Sequence, residues 1–582
     1  MIPPPRLRRI KLSLALLAAC MGGLGWLATR PAPVVDADAP RQRELPLSDV
    51  SPWGANFFLE QEVDAWNAEQ TVAWAARAGI RWAKQHFPWY EIERGPGDFR
   101  WDKYDRIVDL YRANGIEVIA RLDFPGAWVA AADWVPPEKR GPPANTPPED
   151  YDDYGRFVKA VATHFKGRVR FYQIWNEPNL IYEWGYNPSH PVDPDDYTDM
   201  LRTAARAARQ ADPNAVILSA PLAINTETVE QAGNMSDLAF LRGMYEADAA
   251  AEFDILSVNA FGMDRPPEDA PAEDVLNFRR VELHRQVMVD ASDACTPIWA
   301  NEFGWNAAPA GMHSMWRQVT EAQQADFTVG GVRWAGAHWP WAGVFSIWFF
   351  RHPSLPRDDA VHHFRMLDAD FNPRRVYAAV QAAAVPVVAG PGDWAERSEP
   401  VRLSGLDDWT WRWDGTPDQR SWSRLRCLSG ACCRAPDDLA ADFNFIASES
   451  PLASLSFRFR GPSIAVRLRS LSAVSVADTA VDGDQRTVTL READGWQWHV
   501  VADGLSGGTH ELRLAVGGAG GRIAIDGFRV GSGPPSDPRW SWLTGLAGLA
   551  LVLAVLVAWD VRYVARRVEA VDEPIHMASP KL

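Results

Sequence analysis

The sequence predicts an α/β (β/α)8 TIM barrel followed by an all-β jelly-roll sandwich, with a transmembrane segment near each end of the chain. Apolar strand-like runs alternate with amphipathic helices from Trp53 to about Ala384, which is the pattern of βα units in a parallel sheet. Helical periodicity then disappears, and short alternating segments with turn-rich breaks occupy about 401–530, as in antiparallel sandwiches. Long apolar runs near both ends predict the membrane segments.

Length and composition bound the possible functions. The 582 residues suggest two to four domains, and 47% hydrophobic with 23% charged residues is typical of a globular protein. The net charge of −16 argues against nucleic-acid binding, because a phosphate-binding surface needs a basic field. The 28 tryptophans suit either a large core or a site for sugar rings, whose C–H faces are apolar.

The N-terminal region reads as a targeting segment. Basic residues precede an apolar run from Leu12 to about Thr29, so 1–30 is predicted as an uncleaved signal anchor or a signal peptide. A second interpretation is a lipoprotein signal, since Leu17-Ala18-Ala19-Cys20 resembles a bacterial lipobox. The Pro-, Ala- and Asp-rich residues 31–50 are predicted as a linker.

The region 51–390 is predicted to hold the barrel. Eight repeats over about 330 residues fit the size and order of a TIM barrel. A doubly wound open sheet is the alternative, but no Gly-rich phosphate loop follows the first strand. The predicted strands lie near 53–59, 80–87, 116–123, 171–175, 215–220, 253–260, 297–303 and 344–349, and a closing helix covers about 374–384.

The remaining chain is divided by composition. Residues 391–530 are predicted as the β-sandwich accessory domain, with alternating segments such as 455–459, 464–468 and 511–516. A linker at 531–539 leads to a transmembrane helix at 540–559 and a cytoplasmic tail at 560–582. Basic residues flank both apolar segments on their terminal sides, so the positive-inside rule predicts a bacterial cytoplasmic membrane protein with both termini cytoplasmic and 30–539 extracytoplasmic, that is periplasmic or on the outer face.

The five cysteines do not have zinc-type spacing with histidines, and the sequence predicts no metal and no cofactor. Cys427, Cys432 and Cys433 lie close together. A short disulfide from Cys427 to either neighbour fits an oxidising compartment, and the odd cysteine count leaves the pairing open.

Two carboxylates are the candidate catalytic pair. Glu177 follows the fourth predicted strand in Trp175-Asn176-Glu177-Pro178, and Glu302 lies near the end of the seventh. In a barrel both would face one cleft at the carboxyl ends of the strands. Two carboxyl groups flanking a bond are the equipment for glycoside hydrolysis, one protonated as acid and one ionised as nucleophile.

The motif 175–179 together with Glu302 resembles the clan A retaining glycoside hydrolases over about 51–390, nearest to family 39 with its β-xylosidases and related endoglycosidases, and with family 5 cellulase-like enzymes as a close alternative. The stretch 367–373 also resembles this clan's barrel end. The resemblance implies that Glu177 is the acid/base and Glu302 the nucleophile. It also implies that Asn176 binds the sugar 2-hydroxyl and that Trp348 forms an aromatic platform under the reacting sugar.

Some positions depart from the pattern of the clan. Lys84 stands where relatives often carry an arginine that steadies the nucleophile. A lysine keeps the positive charge, but its ammonium group cannot form the bidentate contact that a guanidinium group forms with a carboxylate. On the sixth strand, Asn259 and Phe261 replace residues that in relatives are often His and Tyr close to the nucleophile. Asn259 can still form a hydrogen bond and is, with Lys84, a candidate for substrate binding, whereas Phe261 has no hydroxyl. Trp89 and Trp128 are candidates for lining outer sugar subsites, with packing as the alternative.

The resemblance implies a retaining hydrolase of a β-linked poly- or oligosaccharide. The predicted topology makes it membrane-anchored and extracytoplasmic, and processing of cell-surface polysaccharide is a hypothesis that rests on this topology and on analogy. The alternatives are a non-catalytic carbohydrate-binding or sensing protein on the same fold, and a transglycosylase that shares the covalent intermediate. The expected partners are the saccharide and the membrane, without nucleic acid; protein partners stay open.

Overall fold

The computed structural model of the chain describes residues 45–129, 145–186, 191–227, 233–384, 388–404, 406–414, 444–506, 508–517, 521–531, 554–559 and 562. The predicted membrane segments near 12–29 and 540–559 lie outside these ranges, except for a helical stretch at 554–559. Within the described ranges, no helix combines the length and apolar character needed to cross a bilayer. Cys20, Cys427, Cys432 and Cys433 also lie outside them.

Eight parallel strands form a closed barrel, which confirms the predicted TIM barrel. The sheet runs in the order β5-β4-β3-β2-β1-β8-β7-β6. The bridges Leu218–Ile255 and Leu222–Val258 join the β5 and β6 sides of this sheet. Each predicted strand overlaps an observed one: β1 (Trp53–Phe57), β2 (Trp82–Pro88), β3 (Glu117–Asp123), β4 (Phe171–Ile174), β5 (Val216–Leu218), β6 (Leu256–Phe261), β7 (Ile298–Gly304) and β8 (Ala342–Ile347).

Helices follow the strands and pack around the barrel. Short polar side chains begin several of them: Asp64 accepts a hydrogen bond from the Trp66 amide, and Thr320 forms a reciprocal capping box with Gln323. The helices are α1 (Ala65–Arg77), α2 (Trp89–Ile92), α3 (Asp102–Ala113), α4 (Tyr151–His164), α5 (Pro194–Ala211), α6 (Asp237–Glu246), α7 (Val281–Asp290), α8 (Glu321–His338) and α9 (Arg375–Ala383).

The predicted β-sandwich is also present. One antiparallel sheet has the order β10-β13-β18-β15-β16, and the other has the order β11-β12-β19-β14-β17, with β9 pairing β19. Asp482 and Gly483 both have positive φ, of 51° and 100°, in the tight turn between β15 and β16. The strands are β9 (Gly392–Ala395), β10 (Val401–Leu403), β11 (Thr410–Trp413), β12 (Asn444–Ser448), β13 (Ser454–Phe459), β14 (Ile464–Ser470), β15 (Val474–Val481), β16 (Asp484–Arg491), β17 (Gln497–Ala502), β18 (His510–Val516) and β19 (Ile523–Val530).

The sandwich packs against the amino-terminal ends of the barrel strands. Trp411 on β11 packs within 5.3 Å, centroid to centroid, of Phe171 at the start of β4. Polar contacts surround this ring: Arg170 Nη2 donates to Asn444 Oδ1 at 2.7 Å, and Arg397 Nη2 donates to Glu117 Oε1 at 2.6 Å. The carboxyl ends of the strands therefore lie at the opposite end of the barrel from this interface.

Residues 45–50, inside the segment predicted as a linker, are packed rather than extended away from the barrel. Leu47 and Val50 are buried in the apolar cluster at the amino-terminal end of the barrel, and the Leu47 carbonyl accepts a hydrogen bond from Trp299 Nε1 at 2.9 Å. They cover aromatic rings that would otherwise face solvent.

Cys295, between α7 and β7, is disulfide-bonded.

Candidate active site

The interior of the barrel changes from apolar to polar to charged along its axis. An apolar cluster that includes Trp82, Phe171 and Trp299 fills the amino-terminal end. Above it lies a buried polar layer in which Asn301 Nδ2 donates to Gln173 Oε1 at 2.8 Å and to Ser257 Oγ at 3.1 Å. The charged groups occupy the carboxyl-terminal end, where a TIM barrel places its active site.

Glu177 lies in a turn immediately after β4 whose backbone is held in an uncommon conformation. Trp175 and Glu177 have φ values of 70° and 42°, which is costly for side chains that carry a Cβ atom. Hydrogen bonds fix the turn: Gln173 Nε2 donates to the Trp175 carbonyl at 2.7 Å, and the Glu177 amide donates to the Pro221 carbonyl at 3.0 Å. The surrounding structure therefore sets the position of the Glu177 carboxyl group.

Glu302, on β7, forms a buried ion pair with Lys84 on β2. Lys84 Nζ lies 2.7 Å from Glu302 Oε1, and the two side chains are 2% and 6% exposed. Burial lowers the pKa of Lys84, and the negative charge of Glu302 opposes this effect. Lys84 therefore lies beside the nucleophile candidate, and its ammonium group is bonded to the Glu302 carboxylate.

Among the residues that the structure describes, the hydrogen-bond donors to Glu177 are neutral side chains. Asn259 Nδ2 donates to Glu177 Oε1 at 2.5 Å, and the Tyr182 hydroxyl donates to Oε2 at 3.4 Å. Burial, and then the negative charge of Glu302, raise the pKa of Glu177 to about 8. Asn259 lies in register with Glu302 on the neighbouring strand, yet its side chain bonds to Glu177, so it links the two carboxyl groups of the site.

A second charged group lies beside this pair and was not found from the sequence. Asp123, at the end of β3, contacts Arg121 Nε at 2.6 Å and His86 Nε2 at 2.5 Å. Burial acts to raise the pKa of Asp123, but the charge of Arg121 holds it below its usual value. Nearby, Glu183 accepts a hydrogen bond from Asn145, and burial raises the pKa of Glu183 to about 7.

Asn176 is buried at the end of a chain of amides. Its Oδ1 accepts a 3.4 Å hydrogen bond from Gln173 Nε2, and Gln173 in turn accepts from Asn301. Sequence reasoning did not identify Gln173, Asn301 or Asn56, whose Nδ2 donates to the Asn301 carbonyl at 3.0 Å. Each is a buried polar residue within a largely apolar barrel strand. That departure from the apolar pattern was the available signal.

The aromatic candidates differ in position. Trp348 follows β8, is partly buried and lies in an edge-to-face contact with Phe58 at 5.8 Å. Trp128 is partly buried in the loop after β3.

Trp89 is fully buried, stacks on Phe157 at 4.9 Å and donates to Glu93, so the structure does not place it in a sugar subsite. Phe261 is buried among aromatic side chains, 5.5 Å from Phe364.

Comparisons with known proteins relate the chain to glycoside hydrolases. No protein-family model matches it. It is 30% identical over 117 residues to a β-xylosidase of Geobacillus stearothermophilus, a match that spans 19% of this chain and 22% of the relative. The chain therefore matches about a fifth of the length of that curated relative.

Solved structures similar to the chain include three glycosidases. One is a family 39 glycoside hydrolase from the gut symbiont Bacteroides cellulosilyticus WH2, with a TM-score of 0.43, 15% identity and 82% of each chain covered. Another is a glucosidase from Croceicoccus marinus, with a TM-score of 0.43, 12% identity and coverage of 81% and 97%. Xylanase 10B from Thermotoga maritima has a TM-score of 0.37 and 16% identity, with coverage of 58% and 95%. The chain is thus similar to glycoside hydrolases, the class whose motif the end of β4 resembles.

Proposed function

We propose that the chain is a retaining glycoside hydrolase that cleaves a β-linked poly- or oligosaccharide. The observation that carries this proposal is the unequal setting of two carboxyl groups in one site. Glu302 is ion-paired with Lys84, whereas Glu177 accepts hydrogen bonds from the neutral side chains of Asn259 and Tyr182 and has a pKa raised to about 8 by burial and by the charge of Glu302. A pair of carboxyl groups whose environments separate their protonation states is what this reaction requires.

In the proposed mechanism, Glu177 enters the reaction protonated and transfers its proton to the glycosidic oxygen as that bond breaks. The Glu302 carboxylate attacks the anomeric carbon and forms a glycosyl–enzyme ester. Glu177, now ionised, takes a proton from a water molecule that hydrolyses the ester, which restores both groups. Asn259 holds Glu177 Oε1, and Asn176 is proposed to bind the 2-hydroxyl group of the reacting sugar.

The β-linkage of the substrate is proposed from the printed name of the curated relative, a β-xylosidase. The two predicted apolar segments and their flanking basic residues support a membrane-held enzyme with its barrel outside the cytoplasm. The disulfide bond of Cys295 supports the same side of the membrane, because disulfides persist in oxidising compartments. Cell-surface polysaccharide is the proposed substrate source, and membrane attachment is tested by carbonate extraction of the membrane fraction.

A panel of activated aryl β-glycosides tests the catalytic proposal. The purified chain should release the aryl group from at least one of them, and Glu302→Gln should abolish turnover. A Glu302→Gly variant should regain activity in azide and yield the glycosyl azide of inverted configuration, because azide replaces the missing nucleophile. If no member of a broad panel is cleaved while the parent, Glu177→Gln and Glu302→Gln bind glycans equally, the chain is a carbohydrate-binding protein instead.

The binding-protein alternative has specific support. Lys84 stands where the resemblance implies an arginine, and Phe261 supplies no hydroxyl beside the pair. Transglycosylation uses the same covalent ester and differs only in the acceptor, so products longer than the substrate would identify it.

A further inference from the structure

Exposed apolar side chains of the barrel gather at the end that carries the carboxyl pair. In the part of the barrel that the structure describes, six large apolar side chains are exposed, and five of them follow β1, β2, β4 or β7: Val63, Trp66, Tyr90, Tyr182 and Met315. The sixth, Val289, lies at the end of α7, on the opposite side. Exposed aromatic faces cost free energy unless a ligand covers them, and sugar rings have apolar faces of matching size.

Tyr182 contacts the candidate acid Glu177, and we place the departing sugar beside it. Its hydroxyl contacts Glu177 Oε2, while Asn259 occupies the other oxygen. The acid delivers its proton to the departing oxygen, so a side chain at the free edge of that acid borders the departing sugar. The Tyr182 ring is 43% exposed and lies 6.4 Å from the ring of Tyr186. These two rings form one platform.

A second group of aromatic side chains lies on the other side of the barrel mouth. Trp348 contacts Phe58, which lies 4.5 Å from His352. Farther out on the β1 side, Trp66 is 58% exposed and contacts Phe371 at 5.8 Å. In the strand order, β8 is four steps from β4 in a closed ring of eight, so the two aromatic groups flank the carboxyl pair from opposite sides.

We propose that a glycan chain lies across the barrel mouth from Tyr182 to Trp66 and is cleaved at an internal linkage. Sugar units bind on both sides of the carboxyl pair, with the departing part of the chain on Tyr182 and the retained part on Phe58 and Trp66. This inference rests on the proposed hydrolase function. It adds that the substrate is a polymer cut within its chain rather than a terminal unit removed one at a time. The sandwich, at the opposite end of the barrel, takes no part in this binding.

The experiment uses the full chain and two probes, β-1,4-xylo-oligosaccharides and cello-oligosaccharides of two to six units. Internal cleavage predicts that the first products from a six-unit probe are fragments of two, three or four units. Release of single units with the five-unit remainder as the first products would overturn the proposal.

Variants test the two platforms separately. Tyr182→Ala and Trp66→Ala should each lower kcat/KM on the six-unit probe by about tenfold. Tyr182→Phe removes the hydroxyl that contacts Glu177 but keeps the ring, so it should retain the parent's affinity for the six-unit probe. Val289→Ala alters an exposed side chain far from the mouth and should match the parent in kcat/KM. Equal kcat/KM for the parent and both platform variants would contradict the binding path.

Measurements of glycan binding distinguish failure of this inference from failure of the hydrolase proposal. If no aryl glycoside is cleaved, the affinity of the same probes is measured by tryptophan fluorescence. Affinity that rises with chain length and falls in both platform variants would support the binding path without catalysis. Absence of binding to every probe, or affinity independent of length, would overturn it.

Discussion

Replacing Lys84 with Met tests the ion pair on which the proposed division of roles depends. The change keeps most of the side-chain volume and removes the ammonium group that lies 2.7 Å from Glu302. The Glu302 carboxylate is then left buried without a counter-ion, since only 6% of its side chain is exposed. We therefore expect a large loss of stability together with loss of turnover.

The size of the effect follows from burial. Removing one partner of a buried pair costs about 3–5 kcal/mol, because the remaining charge keeps its desolvation penalty. The pair Arg265–Asp269 is the matched control: its nitrogen–oxygen distance is 3.0 Å, but its side chains are 46% and 27% exposed. Arg265→Met should cost only about 0–1 kcal/mol, since solvent screens an exposed pair.

Urea unfolding of the full-length variants, followed by tryptophan fluorescence, measures these differences. The double variant Lys84→Met/Glu302→Gln removes both charges and should recover most of the lost stability. The reasoning is refuted if Lys84→Met unfolds within about 1 kcal/mol of the parent. It is also refuted if the double variant is no more stable than the single one, because the loss would then come from packing.

Three further results are expected. The pKa of Glu177 is raised to about 8, so the protonated acid is present below that pH and is lost above it. We therefore expect kcat/KM on an unactivated glycoside to fall as the pH rises through about 8. A fall centred near pH 5 would contradict this. Asn259→Ala removes the donor to Glu177 Oε1 and should lower kcat about 10–100-fold without unfolding the protein. Trp411→Ala should lower the free energy of unfolding by about 2–4 kcal/mol, with kcat/KM unchanged because the ring packs at the far end of the barrel.

The strands and the catalytic candidates could be predicted because their signals are local. Each barrel strand is a short apolar run between turn residues, and the observed bounds fall within two or three residues of the predicted ones. Glu177 stood out as a carboxylate directly after such a strand. A buried strand end is an improbable position for a carboxylate unless it serves a site.

The contacts across the barrel could not be predicted from local patterns. The register of the strands shifts between Val258 and Asn259, and again between Ala300 and Phe303. These shifts decide which side chains enter the barrel, and nothing in the neighbouring residues marks them. Asn259 lies in register with Glu302, yet its side chain bonds to Glu177 across the site. For Trp89 the sequence left subsite lining and packing open, and the structure shows packing because α2 begins directly after β2 and turns that ring into the core.

The layered interior explains how one barrel has both a stable core and an active site whose buried charges and exposed rings cost free energy. Aromatic packing around Trp299, together with Trp411 from the sandwich, stabilises the amino-terminal end. The buried amide layer around Gln173 and Asn301 then holds the Glu177 turn through directed hydrogen bonds. Because these supports lie below the carboxyl pair, the mouth above can keep a raised pKa, an ion pair and uncovered aromatic rings. The free energy lost at the site is offset at the far end of the barrel, so the sandwich contributes to the stability of the barrel and not to contact with a substrate.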